Sequence, residues 1–120
     1  MNKEELKNRT KNFSLNVFKF LMNLEKSKAV DVISYQLFKS SSSVAANYRA
    51  VCRGKSEADF LYKLKVVDEE ADESLFWLEF IKGLEIKCDS AELQKLIKEA
   101  DELTAIFSAA IRTIKAKSNK

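Results

Sequence analysis

Apolar residues recur along this chain at intervals of three and four in four successive stretches, the period of a helix that buries one face. The first stretch carries Phe13, Val17, Phe20, Leu21 and Leu24, with Leu15, Phe18 and Met22 in a second row beside them. The second repeats through Val30, Ile33, Leu37, Val44 and Val51, and the third through Phe60, Leu64, Val67, Ala71, Leu78 and Ile81. The fourth runs from Leu93, Leu96 and Ile97 through Ala100, Leu103 and Phe107 to Ile111 and Ile114. Helices are therefore predicted over about residues 10–27, 29–53, 56–83 and 89–116, the first opening somewhere between Lys3 and Thr10. Gly54 and Gly83 are expected just past helix ends, where a left-handed residue suits glycine. Ser56 and Asp89, each three residues before an acid, have the spacing of helix N-caps. Short connectors make neighbouring helices antiparallel. The expected fold is all-α, an antiparallel up-down-up-down four-helix bundle formed by residues 1–120 as a single domain.

Polar residues interrupt these stripes in the middle of the chain. Ser40 and Asn47 fall on the second stripe and Ser74 inside the third. Ser40 to Ser43, followed by Ala45 and Ala46, weaken the helix locally and let a neighbouring helix approach closely. A flanking row of the third helix reads Asp59, Lys63, Val66, Glu70, Glu73, Trp77, which sets two carboxylates between an aliphatic residue and an indole. Of the acidic run from Asp68 to Glu73, Asp68, Glu69 and Asp72 are expected to face water. Glu70 and Glu73 should lie at the stripe's edge and need partners, from Asn47, Tyr48, Arg49 or Lys63.

Composition sharpens this reading. The 120 residues include no proline and two glycines, and 32% are charged, which favours long helices over sheet. The net charge of +3 is unevenly spread: residues 1–53 hold ten cations against four acids, residues 54–120 eleven against fourteen. Such a split steers a polyanion or simply pairs neighbouring helices. Phe13 to Leu24, the longest apolar stretch near the start, is cut by Asn16, Lys19 and Asn23, so neither a signal peptide nor a membrane span is expected. A cytoplasmic location follows, with Cys52 and Cys88 reduced. With a whole helix between them, the two cysteines should stand roughly 40 Å apart.

The absence of histidine removes the helix-borne metal pairs of di-iron bundles, the usual zinc sites and every histidine triad. No Gly-rich phosphate loop is present, and no metal or cofactor site is expected. One carboxylate pair, Glu70 and Glu73, could serve as acid and base if burial separated their pKa values, although half-buried structural glutamates fit the same pattern. Lys39, Arg49, Arg53, Lys55 and Lys63, with Tyr48 and Tyr62 interleaved, fit a phosphate-binding surface as well as ordinary solvated helix ends. The outer apolar positions Leu15, Phe18, Met22, Leu61 and Phe76 either widen the core or face a partner.

Three blocks at fixed offsets carry a resemblance. They are Leu37-Phe38-Lys39-Ser40 through Ala46-Asn47-Tyr48-Arg49; Ser56-x-x-Asp59-Phe60-x-x-Lys63-Leu64; and Glu70-Ala71-x-Glu73-Ser74 with Trp77-Leu78. Over about residues 15–110 the chain resembles the bacterial 23S rRNA intervening-sequence proteins, four-helix bundle proteins of ribosomal-protein type. The resemblance implies a compact bundle that assembles into a ring-shaped homopentamer. Some members are encoded within insertions of 23S rRNA genes. A relative with the same bundle, the accessory variability protein of diversity-generating retroelements, binds a reverse transcriptase and nucleic acid through a basic barrel. One position departs from the family pattern: Ala50 stands where Glu is usual, which alters a site if that acid belonged to one and leaves Arg49 or Arg53 freer if it only paired locally. The expectation is a non-enzymatic homo-oligomer associated with ribosomal or other structured RNA. Its alternative is an interaction scaffold for a protein partner, such as a nucleic-acid enzyme, without direct RNA contact.

Overall fold

In the computed structural model, which describes residues 1–118, the chain forms four helices: α1 Lys3–Met22, α2 Lys28–Val51, α3 Glu57–Leu84 and α4 Ser90–Ser118. A short polar side chain caps the start of each. Asn2 accepts a hydrogen bond from the Glu5 amide at 2.8 Å, Ser27 from Val30 at 3.1 Å, Ser56 from Asp59 at 3.1 Å and Asp89 from Glu92 at 3.0 Å. Each cap satisfies an amide that the helix leaves unpaired in its first turn, worth about 1 kcal/mol. Every helix packs on its sequence neighbours, and α1 meets α4 to close the antiparallel up-down-up-down arrangement. The result is a rod of 51 × 23 × 21 Å. Among the described residues no helix is long and apolar enough to cross a membrane.

Several helix ends differ from those expected. α1 begins at Lys3 and stops at Met22, five residues short of the expected end, because the Asn23 side chain donates back to the Lys19 carbonyl and Ser27 takes an extended conformation to cap α2. Gly54 is not left-handed. It is needed for closeness, since a Cβ there would stand 3.1 Å from the Val51 carbonyl oxygen that receives its own N–H. Gly83 lies inside α3, and the left-handed residue that ends this helix is Glu85, with φ of 55°.

The core follows the stripes. Val17, Leu37, Val44, Val67, Leu78, Leu103 and Phe107 are fully enclosed. α2 and α3 make the most extensive contact of any helix pair. Small residues allow it: Ser40 and Ser74 are both fully buried and join across the seam through an Oγ–Oγ hydrogen bond of 3.0 Å. Asn47, expected on that seam, is turned out of it. Its side-chain amide donates to the Ser43 carbonyl at 2.9 Å, and Tyr48 occupies the buried position, its ring 5.8 Å from that of Phe107. A large aromatic gains more than a carboxamide by burial, and this decides which of two adjacent residues points inward.

Candidate nucleic-acid interface

The antiparallel arrangement brings both ends of the α2–α3 turn to one pole of the rod. Arg49 and Arg53, one turn apart near the end of α2, are both exposed, and Lys55 lies in the turn. Among the described residues neither arginine forms an ion pair. The two remaining cations of the expected set behave differently. Lys63 is bound to Asp59 at 3.0 Å. Its ammonium group and the Lys55 backbone N–H hold the Asp59 carboxyl below the usual carboxylate range. Lys39 lies ten residues before Arg49, about 15 Å along α2, where its charge acts on Glu70.

Other cations reach this pole from helices that the local pattern did not connect to it. Hydrogen bonds from Ser108 to Asp68 and from Lys82 to Gln94 set the register between α3 and α4. That register places Arg112 and Lys115 beside the first turns of α3. Lys3, at the start of α1, sits over the Phe60 ring at 5.3 Å. Topology was the missing signal: in an up-down bundle the basic end of the last helix must return to the second connection. The charge asymmetry therefore runs along the rod. A basic pole at the α2–α3 turn gives way to an acidic band along the middle of α3.

In that band, burial pushes the Glu70 carboxyl up and the charge of Glu73 adds to the shift, while Lys39 and a Ser43 hydroxyl oppose it. The partners expected from Asn47, Tyr48, Arg49 and Lys63 are not the ones Glu70 finds. Glu73 is exposed, so no closed acid–base pair forms. Asp68, expected to be solvated, is instead half-buried against α4; burial raises its pKa, and the Ser108 hydroxyl at 3.3 Å moderates this. Burial, with the Cys52 thiol beside it, pushes the Tyr48 hydroxyl up to about 12. Cys52 and Cys88 are free thiols, at the α2 terminus and in the α3–α4 connection. The Trp77 ring packs between Phe76 at 4.9 Å and Phe80 at 5.5 Å, and its buried indole N–H has no acceptor among the described residues.

The outer apolar positions divide. Phe18 rests on Phe38 with centroids 4.4 Å apart and Leu61 packs against the core, and both are half-buried. Leu15, Met22 and Phe76 remain exposed, at 46%, 76% and 53%. Val32, Tyr35, Phe80 and Leu84 are exposed too, although the sequence reading did not single them out. Their positions widen the apolar surface along the α2–α3 half farther from the basic pole.

The family model of the 23S rRNA-intervening sequence proteins matches residues 2–109, nearly the whole bundle. The chain belongs to this family. Its motif residues can now be placed within the family bundle: Ser40 and Ser74 at the tightest helix contact, Asp59 as an anchor between Lys55 and Lys63, and Trp77 within an aromatic cluster. A crystal structure of a protein of unknown function from the S23 ribosomal protein family of Bacteroides thetaiotaomicron is similar in fold, with a TM-score of 0.82 and 24% identity. The similarity covers 93% of this chain and 99% of that one. No curated protein matches the chain significantly.

Proposed function

We propose that this intervening-sequence protein is a non-catalytic, self-associating bundle that binds structured RNA in the cytoplasm through its basic pole. The observation that carries the reading is the pair Arg49 and Arg53, exposed and without ion pairs among the described residues, next to Lys55 and close to cations contributed by α1 and α4. Two exposed guanidinium groups four residues apart can each grip a phosphate with two donors. Lys39 and Lys63 contribute less because each is offset by a carboxylate. Self-association, as a pentameric ring by the family resemblance, would repeat this weakly charged pole and multiply its pull on a polyanion.

Binding of a labelled structured RNA should weaken as salt is raised, with a log-log slope of about −2 to −4 if two to four phosphates are neutralised per complex. Absence of binding at 50 mM salt, or binding indifferent to salt, would reject the phosphate-contact reading. The exposed apolar surface with Tyr35, Phe76 and Phe80 favours a second reading, a scaffold that docks a protein partner there without touching RNA. In that case association survives high salt and is lost in Phe76→Ser/Phe80→Ser.

A further inference from the structure

α1 and α4 meet over the least surface of the four adjacent helix pairs, and a groove of about 720 Å³ opens between them. Asn8, Asn12 and Asn16 line its α1 side, at positions i, i+4 and i+8 of one helix, and all three are exposed. Their carboxamides make no hydrogen bond to any described residue, unlike Asn2, Asn23 and Asn47, each of which bonds within its own turn. Asparagine is a poor residue for a helix interior, so three in one row lower the stability of α1 without a structural return. Buried Phe13 and Leu96 form the floor, and Arg9 ties α1 to Glu99 of α4 through bonds of 2.7 and 2.6 Å. The groove continues past Asn16 into a second depression of about 290 Å³ that reaches Asn23.

We infer that this groove binds an extended peptide segment of a partner protein, with Asn8, Asn12 and Asn16 reading its main chain. Residues four apart on a helix advance about 6 Å, while alternate residues of an extended chain advance about 6.6 to 6.8 Å. Across three asparagines the two repeats drift apart by about 1.5 Å, within the swing of an asparagine side chain. A carboxamide offers both a donor and an acceptor, so each can bond the C=O and N–H of one peptide residue. Successive asparagines would take residues n, n+2 and n+4. Three acids, Glu5, Glu92 and Glu99, stand along the groove against two cations, Arg9 and Lys95, and Arg9 is taken up by Glu99, so the lining keeps a net negative charge that favours peptide over single-stranded nucleic acid. Recognition through the main chain makes the site tolerant of ligand sequence and dependent on an extended ligand backbone.

The test begins with selection of 12-residue peptides from a random phage-displayed library on the full-length protein. The tightest peptide is then titrated against the wild type and against Asn8→Ala/Asn12→Ala/Asn16→Ala. Alanine is the stronger helix former at these exposed sites, so the variant should melt no lower than the wild type. Expected is at least a tenfold loss of affinity in the variant. N-methylation of the peptide backbone should weaken binding at alternate residues only. Failure to select any peptide, equal binding by the variant, or loss on N-methylation without a two-residue period would overturn the proposal. Asparagine-dependent binding of a 12-nucleotide single-stranded RNA in place of peptide would overturn it as well.

Discussion

The Ser40–Ser74 hydrogen bond offers a sharp energetic test, because the structure predicts unequal costs for its two ends. Three contacts are shared by two hydroxyl protons: Ser74 with the Glu70 carbonyl at 2.9 Å, Ser74 with Ser40 at 3.0 Å, and a longer one of Ser40 with the Leu37 carbonyl at 3.4 Å. The two shorter contacts are both met only when Ser74 donates to Glu70 and Ser40 donates to Ser74. Ser74→Ala then strands a fully buried Ser40 hydroxyl, which can fall back only on the long contact to Leu37. An unsatisfied buried hydroxyl costs about 1 to 3 kcal/mol, and the fallback keeps this case near about 1.5. Ser40→Ala leaves Ser74 donating to Glu70 and should cost less than about 1 kcal/mol. The double variant strands nothing, so it should be no less stable than Ser74→Ala alone, with a coupling of about 0.5 to 1 kcal/mol. Urea unfolding followed by the fluorescence of Trp77, the single tryptophan, measures all four proteins. Concentration must be held fixed so that self-association does not shift the midpoints. Strictly additive costs, or a larger loss from Ser40→Ala than from Ser74→Ala, would refute the assignment of these hydrogen bonds.

Other consequences are as specific. Gly83→Ala should raise stability by about 0.5 to 1 kcal/mol, because a Cβ there meets nothing and the residue is helical. Glu85→Gly should add about 1 kcal/mol by relieving the left-handed strain at the end of α3; a lower Tm in either variant would contradict these placements. The raised pKa of Glu70 means that the folded chain holds its proton more tightly than the unfolded chain. Its contribution is therefore favourable below the unfolded value near 4 and is lost as pH rises through the folded value. Glu70→Gln should accordingly gain stability over the wild type at pH 7 and much less at pH 4, and unfolding curves showing an equal difference at both pH values would count against this. Trp77→Phe removes an N–H that has no acceptor and should cost less than about 1 kcal/mol by thermal melting.

Much of the bundle was legible because burial imposes its period on the sequence. The apolar stripes name most of the core, the serines on the second and third stripes mark the closest helix contact, and Ser56 and Asp89 announce their helices. The first turn of α1 was less legible, since it is capped by Asn2 but carries no apolar residue until Leu6. Asn47 and Tyr48 were exchanged because adjacent helical positions differ by a rotation that only the neighbouring helix decides. Gly83 looked like a terminator by type, yet the chain reverses at Glu85. The candidate site was legible only in part. Arg49, Arg53 and Lys55 could be grouped by proximity in the chain, whereas the arrival of Arg112 and Lys115 depends on a register set by residues 40 apart in the chain. The opening between α1 and α4 left one trace, the row Asn8, Asn12 and Asn16, but nothing local ties that row to α4, because the rest of the chain separates the two helices.

The measurement that bears most directly on RNA binding by the basic pole is a charge reversal compared between the two poles. Arg49→Glu/Arg53→Glu is set against Lys26→Glu/Lys28→Glu at the opposite end of the rod, both pairs being exposed and equal in charge change. A structured RNA titrated at 100 mM salt should lose at least tenfold in affinity for the first variant, and the salt slope should shrink by about 2. The second variant should lose less than threefold. Equal losses in both would show that net charge alone governs association, and no loss in the first would contradict a phosphate-binding pole.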